Sequence, residues 1–255
     1  MLASVAAIYR YPVKGLSAES LQSVDLAPGG RIANDRRFGL ALGSTPVAGA
    51  RAAWMPKTSF LMLVRNERLA ALRTAFDDRT ECLTIRRSGK PVATGQLTSS
   101  VGRAVVEEFF AAYLGDEARG RPRIVEVEPG QAFTDSPDAF LSLINLASVR
   151  DLGRVTGCEV DRLRFRANIY IHGLAPWVEF DWIGHDLAIG GVRLRVEERI
   201  GRCAATTVNP ATAERDLNIP QALQRGFGHT DLGVFATVRS VGTLALGAAV
   251  ATIDA

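Results

Sequence analysis

The run Leu187-Ala188-Ile189, Gly190-Gly191, Val192-Arg193-Leu194-Arg195-Val196 constrains the fold most strongly. Apolar residues alternate on either side of a two-glycine turn, the pattern of an antiparallel hairpin with one buried face. A two-residue period will not settle as a helix. Short runs of the same kind recur at Ser4 to Tyr9, Leu21 to Leu26, Arg31 to Leu42, Leu61 to Arg65, Cys82 to Arg86 and Pro91 to Leu97. Others follow at Arg123 to Val127, Gly233 to Val238 and Thr243 to Val250. Turn residues such as Pro12, Gly15 and Pro28-Gly29-Gly30 separate them.

Helical spacing interrupts this pattern three times. Over Ser100 to Leu114 the inward residues read as Val101, Ala104, Val105, Phe109 and Ala112, with Ser100 as cap and Gly115 as stop. Leu146, Val149, Leu152 and Val155 mark a second helix between Asn145 and Gly157, and a short one is expected over Ile219 to Leu223. The fold class is therefore mainly β with a few helices (α+β). The first hundred residues read as barrel-like. Arg119-Gly120-Arg121-Pro122 is the linker candidate, which divides the chain into 1–120 and 121–255.

Charge and cysteine usage exclude several functions. Thirty Lys+Arg against 27 Asp+Glu is too balanced for a general nucleic-acid binder, though it leaves room for a local anion site. No stretch approaches the roughly 20 apolar residues of a spanning helix, and Met1 to Tyr9 lacks the features of a signal peptide. Cys82, Cys158 and Cys203 lie far apart and are odd in number, so neither a disulfide framework nor an iron–sulfur cluster is expected. These features point to a reducing, cytoplasmic setting without membrane contact. There is no P-loop, strand–GxGxxG–helix unit or GxSxG elbow, and His172, His185 and His229 are isolated.

The hairpin delivers the chain to Arg199-Ile200-Gly201-Arg202-Cys203-Ala204-Ala205-Thr206-Thr207-Val208-Asn209-Pro210. Cations beside a cysteine favour its thiolate, which is both a nucleophile and a soft metal ligand. Taken alone, a single cysteine reads first as a small buried hydrophobe, and a Cys–His hydrolase with His229 or His172 as base is also open. Upstream, Arg162, Arg164 and Arg166 alternate with Leu163 and Phe165. Read as a strand, they share a face and form a candidate anion cradle. Phe133-Thr134-Asp135-Ser136-Pro137 is a hydroxyl-rich loop able to close its own turns or contact a ligand.

Together these motifs resemble the MOSC family, the domains similar to the C-terminal part of molybdenum cofactor sulfurase. Tyr11-Pro12-Val13-Lys14-Gly15 and Asp35-Arg36-Arg37-Phe38 are similar to its N-terminal barrel domain. Arg164-Phe165-Arg166-Ala167-Asn168-Ile169, Trp182-x-Gly184, Ile189-Gly190 and the Cys203 stretch are similar to the MOSC domain. The resemblance implies a MOSC β-barrel domain binding a molybdenum cofactor (Mo-molybdopterin), with Cys203 as metal ligand and catalytic residue. It implies cofactor contacts from Lys14, Gly15 and Arg36 on one side. On the other it implies Thr134, Asp135, Ser136, Arg166, Asn168, Arg202 and Thr206. A pyridoxal phosphate label also travels with the family.

In layout the chain is most similar to amidoxime-reducing proteins, which reduce N-hydroxylated small molecules. An iron–sulfur centre is missing, so the implied electrons come from a separate reductase or ferredoxin-like donor protein. Three positions depart from the pattern: Ala167 replaces the usual Pro, Asn209 the usual Asp, and Gly15 a Ser. The alternative is a carrier of cofactor or sulfur that uses a Cys203 persulfide.

Overall fold

The structure, a computed structural model, describes residues 3–253. In the first half, strands β1 (Ser4–Arg10), β2 (Glu19–Leu21), β3 (Ser23–Leu26), β4 (Phe38–Ala41) and β5 (Arg51–Ala52) precede a meander. The meander comprises β6 (Leu72–Asp77), β7 (Cys82–Arg87) and β8 (Lys90–Gln96), followed by helix α1 (Ser100–Leu114) and β9 (Arg123–Val127). The second half holds β10 (Leu141–Asn145), α2 (Leu146–Thr156), β11 (Ile169–His172), β12 (Asp186–Ile189) and β13 (Val192–Gly201). It ends with α3 (Ile219–Phe227), β14 (Asp231–Val238), β15 (Gly242–Ala245) and β16 (Val250–Ile253). Mainly β with three helices is what the turn-punctuated sequence implies.

Eight strands form one sheet in the order β16-β12-β13-β14-β10-β11-β1-β2, antiparallel except for the β10–β11 pair. The sheet curls until its ends approach. Val5 N donates to Ala248 O, Gly247 N to Val5 O and Val250 N to Ala3 O, each at 2.9 Å. These bonds stitch β1 towards β16 without a closed ladder. The alternating apolar residues of the hairpin (Leu187, Ile189, Val192, Leu194 and Val196) point into the enclosed core with Leu143, Ile171 and Val234. Burial on one face of each strand is the driving force.

The first half forms two further three-stranded sheets, β4-β9-β5 and β6-β7-β8. No pairing among the described residues closes them, so the barrel-like expectation becomes a pair of open sheets. α1 covers one and supplies the second layer that closure would have provided. β9 follows the Arg119–Pro122 link yet pairs with β4 and β5, so by strand pairing the chain leaves this unit only after Val127. Conversely, β1 and β2 belong to the large sheet. The chain thus crosses between units at Tyr11–Gly15, where Lys14 N donates to Phe38 O at 2.8 Å.

Several local expectations change. Leu61 to Arg65 is a turn, because Asn66 Oδ1 accepts from Met62 N and Arg65 N returns to Met62 O. Thr243 to Val250 is two strands broken at Gly247, whose φ is 75°. Arg31 to Leu42 contains only the four residues of β4, after turns at Asn34 and Arg36. The α1 cap is Ser99, which accepts from Gly102 N, and the helix is rotated from the expected face. Gly102, Val106, Phe110 and Leu114 are buried, whereas Val101 is 74% exposed.

That rotation follows from backbone contact. A Cβ on Gly102 would lie 2.2 Å from Gln96 O. In an isolated helix, Gly102→Ala would gain about 1 kcal/mol of helix propensity. Here the backbone overlap costs roughly 1–3 kcal/mol or more, so net destabilisation is expected. Urea unfolding checks it: an unchanged or raised midpoint would mean that α1 slides freely over β8.

Candidate functional site

Two local devices set the cysteine. β13 pairs with β14 through two register irregularities, between Val196 and Glu198 and between Arg199 and Gly201. Such bulges bend a strand and re-aim its end. The chain then leaves the sheet at Arg202 and enters a 3-10 turn, Ala204–Thr207, with Cys203 at its cap. Thr206 N and Oγ1 both donate to Cys203 O, at 3.1 and 2.8 Å. Thr206 therefore closes the loop with its hydroxyl. Behind it, Arg164 donates to Asp216 at 2.6 and 2.8 Å and to Thr207 O at 3.1 Å. Asn209 Nδ2 reaches the same Asp216 at 2.6 Å.

Arg162 to Arg166 is not a strand. Asp161 accepts from Leu163 N and starts a 3-10 turn over Arg162–Phe165, which ends with Arg166 at φ 53°. The three arginines consequently diverge. Arg162 donates to Tyr9 Oη, Arg164 braces the Cys203 loop, and Arg166 reaches the cleft. The cradle expected from strand periodicity is built instead from arginines distant in sequence.

All eleven site residues expected from the sequence line one cleft between the two units: Lys14, Gly15, Arg36, Thr134, Asp135, Ser136, Arg166, Asn168, Arg202, Cys203 and Thr206. Tyr11 is the hinge of its cationic wall. The Arg36 and Arg166 guanidiniums lie over its ring at 4.4 and 4.3 Å. Arg36 also donates to Arg166 O at 2.7 Å and pairs with Asp35. Asp35 in turn accepts from Tyr11 N at 2.7 Å and Asn168 Nδ2 at 3.0 Å. Arg36 and Arg166 both adopt left-handed backbone, φ 50° and 53°. That conformation costs a side-chain-bearing residue roughly 1–2 kcal/mol and marks positions held by their surroundings.

The Thr134–Ser136 loop closes its own turns, as its hydroxyls suggest. Thr134 Oγ1 donates to Ser136 O and Ser136 Oγ to Asp138, each at 2.6 Å, so these hydroxyls close the loop. Asp135 instead holds the wall together. Its carboxylate bridges Lys14 Nζ at 2.8 Å and Lys57 Nζ at 3.2 Å. Gly15 has φ 85°, where a serine would be strained. Lys57, Tyr11 and Asp35 are the contributors the sequence reading left without a role. Tyr11 and Asp35 stand inside the quoted motifs, but nothing local marks Lys57.

Desolvation at the cleft wall pushes the half-exposed Asp135 carboxyl up, yet Lys14 and Lys57 outweigh it and hold it at about 2. A carboxyl depressed when folded stabilises the protein above its unfolded value, near 3.9, and that contribution disappears as pH falls through about 2. Wild-type protein should thus lose stability between about pH 4 and 2, and Asp135→Asn should lack that part of the loss. Urea midpoints across the range test this. Equal acid slopes would reject the Lys14–Asp135–Lys57 bridge.

The cleft carries uncompensated positive charge. Lys14, Arg36, Lys57, Arg164, Arg166 and Arg202 stand against Asp35, Asp135, Asp138 and Asp216, an excess of two. Among the described residues, Arg166 and Arg202 have no carboxylate within ion-pair distance. Arg166 donates to Leu16 O at 2.7 Å, and Arg202 to Leu232 O and Phe165 O. Burial pushes both guanidiniums down to about 10, so both remain charged at neutral pH. Two half-buried, desolvated cations without counter-charges are costly unless an anion joins them.

A metal bound by protein alone does not fit. Among the described residues, no group of three or more His, Cys, Asp and Glu could hold an ion. Cys203 offers one soft ligand. The donor set therefore suits a metal that arrives already chelated, on a group with an anionic tail for the arginines.

Residues 2–127 match the MOSC N-terminal beta barrel domain and residues 130–251 the MOSC domain. Molybdenum cofactor sulfurase of Caenorhabditis elegans is 36% identical over 104 residues, 40% of this chain but 14% of that protein. Its counterpart in Caenorhabditis briggsae is 38% identical over 92 residues, 35% of this chain and 12% of that protein. The chain thus spans only a small part of these curated relatives. The YuaD protein of Bacillus subtilis, a solved structure, is 12% identical with a TM-score of 0.45, covering 98% of this chain and 94% of that one. Among the described residues, no helix is long and apolar enough to cross a membrane.

Proposed function

Because the chain belongs to the MOSC family, we propose that it is a molybdenum-cofactor enzyme that reduces N-hydroxylated small molecules. The observation that carries this reading is the pairing, in one cleft, of Cys203 with two half-buried arginines that lack acidic partners. Arg36, Arg166 and Arg202 would hold the cofactor's anionic tail, and Cys203 would ligate its metal. When bound, the group supplies the two-electron redox change. Reducing an N–OH to N–H consumes two electrons and two protons and releases water. The electrons come from a separate donor protein.

The chain's own residues do the rest. Tyr11 and Asp35 orient Arg36 and Arg166. The Arg164–Asp216 pair keeps the Cys203 loop fixed. Lys57 Nζ, held by Asp135, keeps a proton at the cleft wall near Cys203. Lys14 Nζ is engaged by Phe133 O at 2.9 Å and by Asp135, so the pyridoxal phosphate label, which would need a lysine free to form an imine, has no part in this proposal.

Expressed in a host that makes the cofactor, the protein should copurify with about one molybdenum per chain, as a single cysteine ligand requires. Material without molybdenum or extractable pterin would end this reading. A persulfide carrier is the second reading, favoured by the partial exposure of Cys203 at the cleft wall. It would leave a labile sulfur on Cys203, visible by mass spectrometry, with no turnover of N-hydroxylated compounds.

A further inference from the structure

We propose that Arg215 is a positioning residue for Cys203, a strap that ties the Cys203 loop to the first unit. This rests on the reading above, in which the Cys203 sulfur ligates the metal. Arg215 lies just beyond the cysteine motif and pairs with Val208 in an isolated β-bridge. Its guanidinium faces two ways. Nη1 donates within the second unit, to Ala204 O at 3.3 Å and Thr207 Oγ1 at 2.9 Å. Nη2 donates across the boundary, to Leu63 O at 3.1 Å, Val64 O at 2.8 Å and Glu67 Oε2 at 3.0 Å. The side chain is 35% exposed and does not line the cationic cleft, so it acts on the sulfur only through the loop.

The strap matters because the two units share the site. Cys203 stands on the second unit, while Lys57 and the 62–66 turn stand on the first. A narrow space of about 90 Å³ between them is lined by Lys57, Leu63, Val64, Cys203 and Ala205. Arg215 grips the carbonyls of Leu63 and Val64 on one side of that space. On the other it grips the carbonyl of Ala204, which lies between Cys203 and Ala205. The first-unit anchor is firm, because Asn66 is 3% exposed and its side chain accepts from Met62 N at 3.1 Å. Arg164 and Asp216 hold the same loop from within the second unit. The neighbouring residues 215 and 216 thus serve opposite anchors. Only a planar fork with donors on two nitrogens can hold both sides at once, whereas a lysine ammonium is a single point charge.

The test compares Arg215→Ala, Arg215→Lys and Glu67→Gln with wild type. In cofactor-free protein, hydrogen exchange is read at Thr206 N and Val208 N, which close the loop onto Cys203 O and Ala205 O. Losing a charge-assisted anchor should speed both about tenfold to hundredfold in Arg215→Ala, with the β13–β14 amides unchanged. In cofactor-loaded protein the arginines for the anionic tail are intact, so molybdenum content should stay near that of wild type. The electron paramagnetic resonance signal of the reduced metal should broaden, because its sulfur ligand no longer has one position. Turnover should fall by up to about a hundredfold, the cost of a misplacement of about 1 Å. Arg215→Lys grips one side only and should resemble Arg215→Ala, whereas Glu67→Gln keeps an acceptor and should resemble wild type. Wild-type exchange in Arg215→Ala or full rescue by Arg215→Lys would overturn the proposal. So would faster exchange spread evenly over both units with an unbroadened signal, the mark of a merely structural residue. If wild type itself holds no molybdenum, the reading of the function falls, and the exchange pattern still decides the strap.

Discussion

Replacing Cys203 with serine will abolish turnover and alter the metal centre while leaving the fold intact. The cap position has φ −108° and ψ 176°, ordinary extended backbone that serine adopts freely. The Thr206 bonds go to the Cys203 carbonyl, not to its sulfur, and they survive the change. What changes is one atom: a soft thiolate becomes a hard, protonated hydroxyl, a poor ligand for molybdenum. Even residues that only support metal ligands contribute about 10–100-fold, so loss of the ligand itself should exceed about 100-fold. Cys82→Ser and Cys158→Ser are the controls, because neither thiol lines the cleft. Elemental analysis, turnover and the electron paramagnetic resonance of the reduced protein decide it. Normal turnover by the serine variant would show that Cys203 is not the ligand.

Arg166→Met should separate cofactor binding from folding. The guanidinium lies half-buried over Tyr11 with no acidic partner, so in cofactor-free protein it is an uncompensated charge. Replacing such a charge by an apolar side chain of similar size is often neutral or stabilising by roughly 1–4 kcal/mol. The cost here is one hydrogen bond to Leu16 O and the stacking of the guanidinium over Tyr11. Cofactor-free Arg166→Met should accordingly melt at or above the wild-type temperature. Loaded protein loses a charge-assisted contact of about 1.5–3 kcal/mol, which is a tenfold to hundredfold weaker hold on the cofactor. Molecules that still carry cofactor should keep the wild-type metal spectrum, since Cys203 is untouched. A cofactor-free variant several degrees less stable, with molybdenum content unchanged, would make Arg166 a structural residue and overturn the assignment.

Much of this protein is legible without coordinates, and the legible parts share one property. The 187–196 hairpin and the Asn145 and Gly157 ends of α2 are each decided within about ten residues. Side-chain period, cap hydroxyls or amides and glycine at positive φ act locally, so composition and order specify them. The motifs around Lys14, Arg36, Arg166 and Cys203 are likewise contiguous, which is why their chemistry can be read in order along the chain.

Where the reading failed, contacts that side-chain period does not encode decided. Arginines alternating with apolar residues predict a strand over Arg162 to Arg166, but Asp161 and the packing of Phe165 make it a 3-10 turn. The face of α1 is chosen by contact with the β8 backbone rather than by its own valines. Lys57 joins the cleft only because Asp135, 78 residues on, accepts from it. The pairing of β1 with β11 brings the Tyr11–Gly15 crossover against Arg166 and Asn168. The β1–β11 contacts close a loop of more than 150 residues, and the chain entropy they oppose is offset only by burial of the assembled core. The sequence by itself therefore determined which side chains carry the chemistry. The tertiary structure decided that they meet, and that two of the arginines meet without an acid.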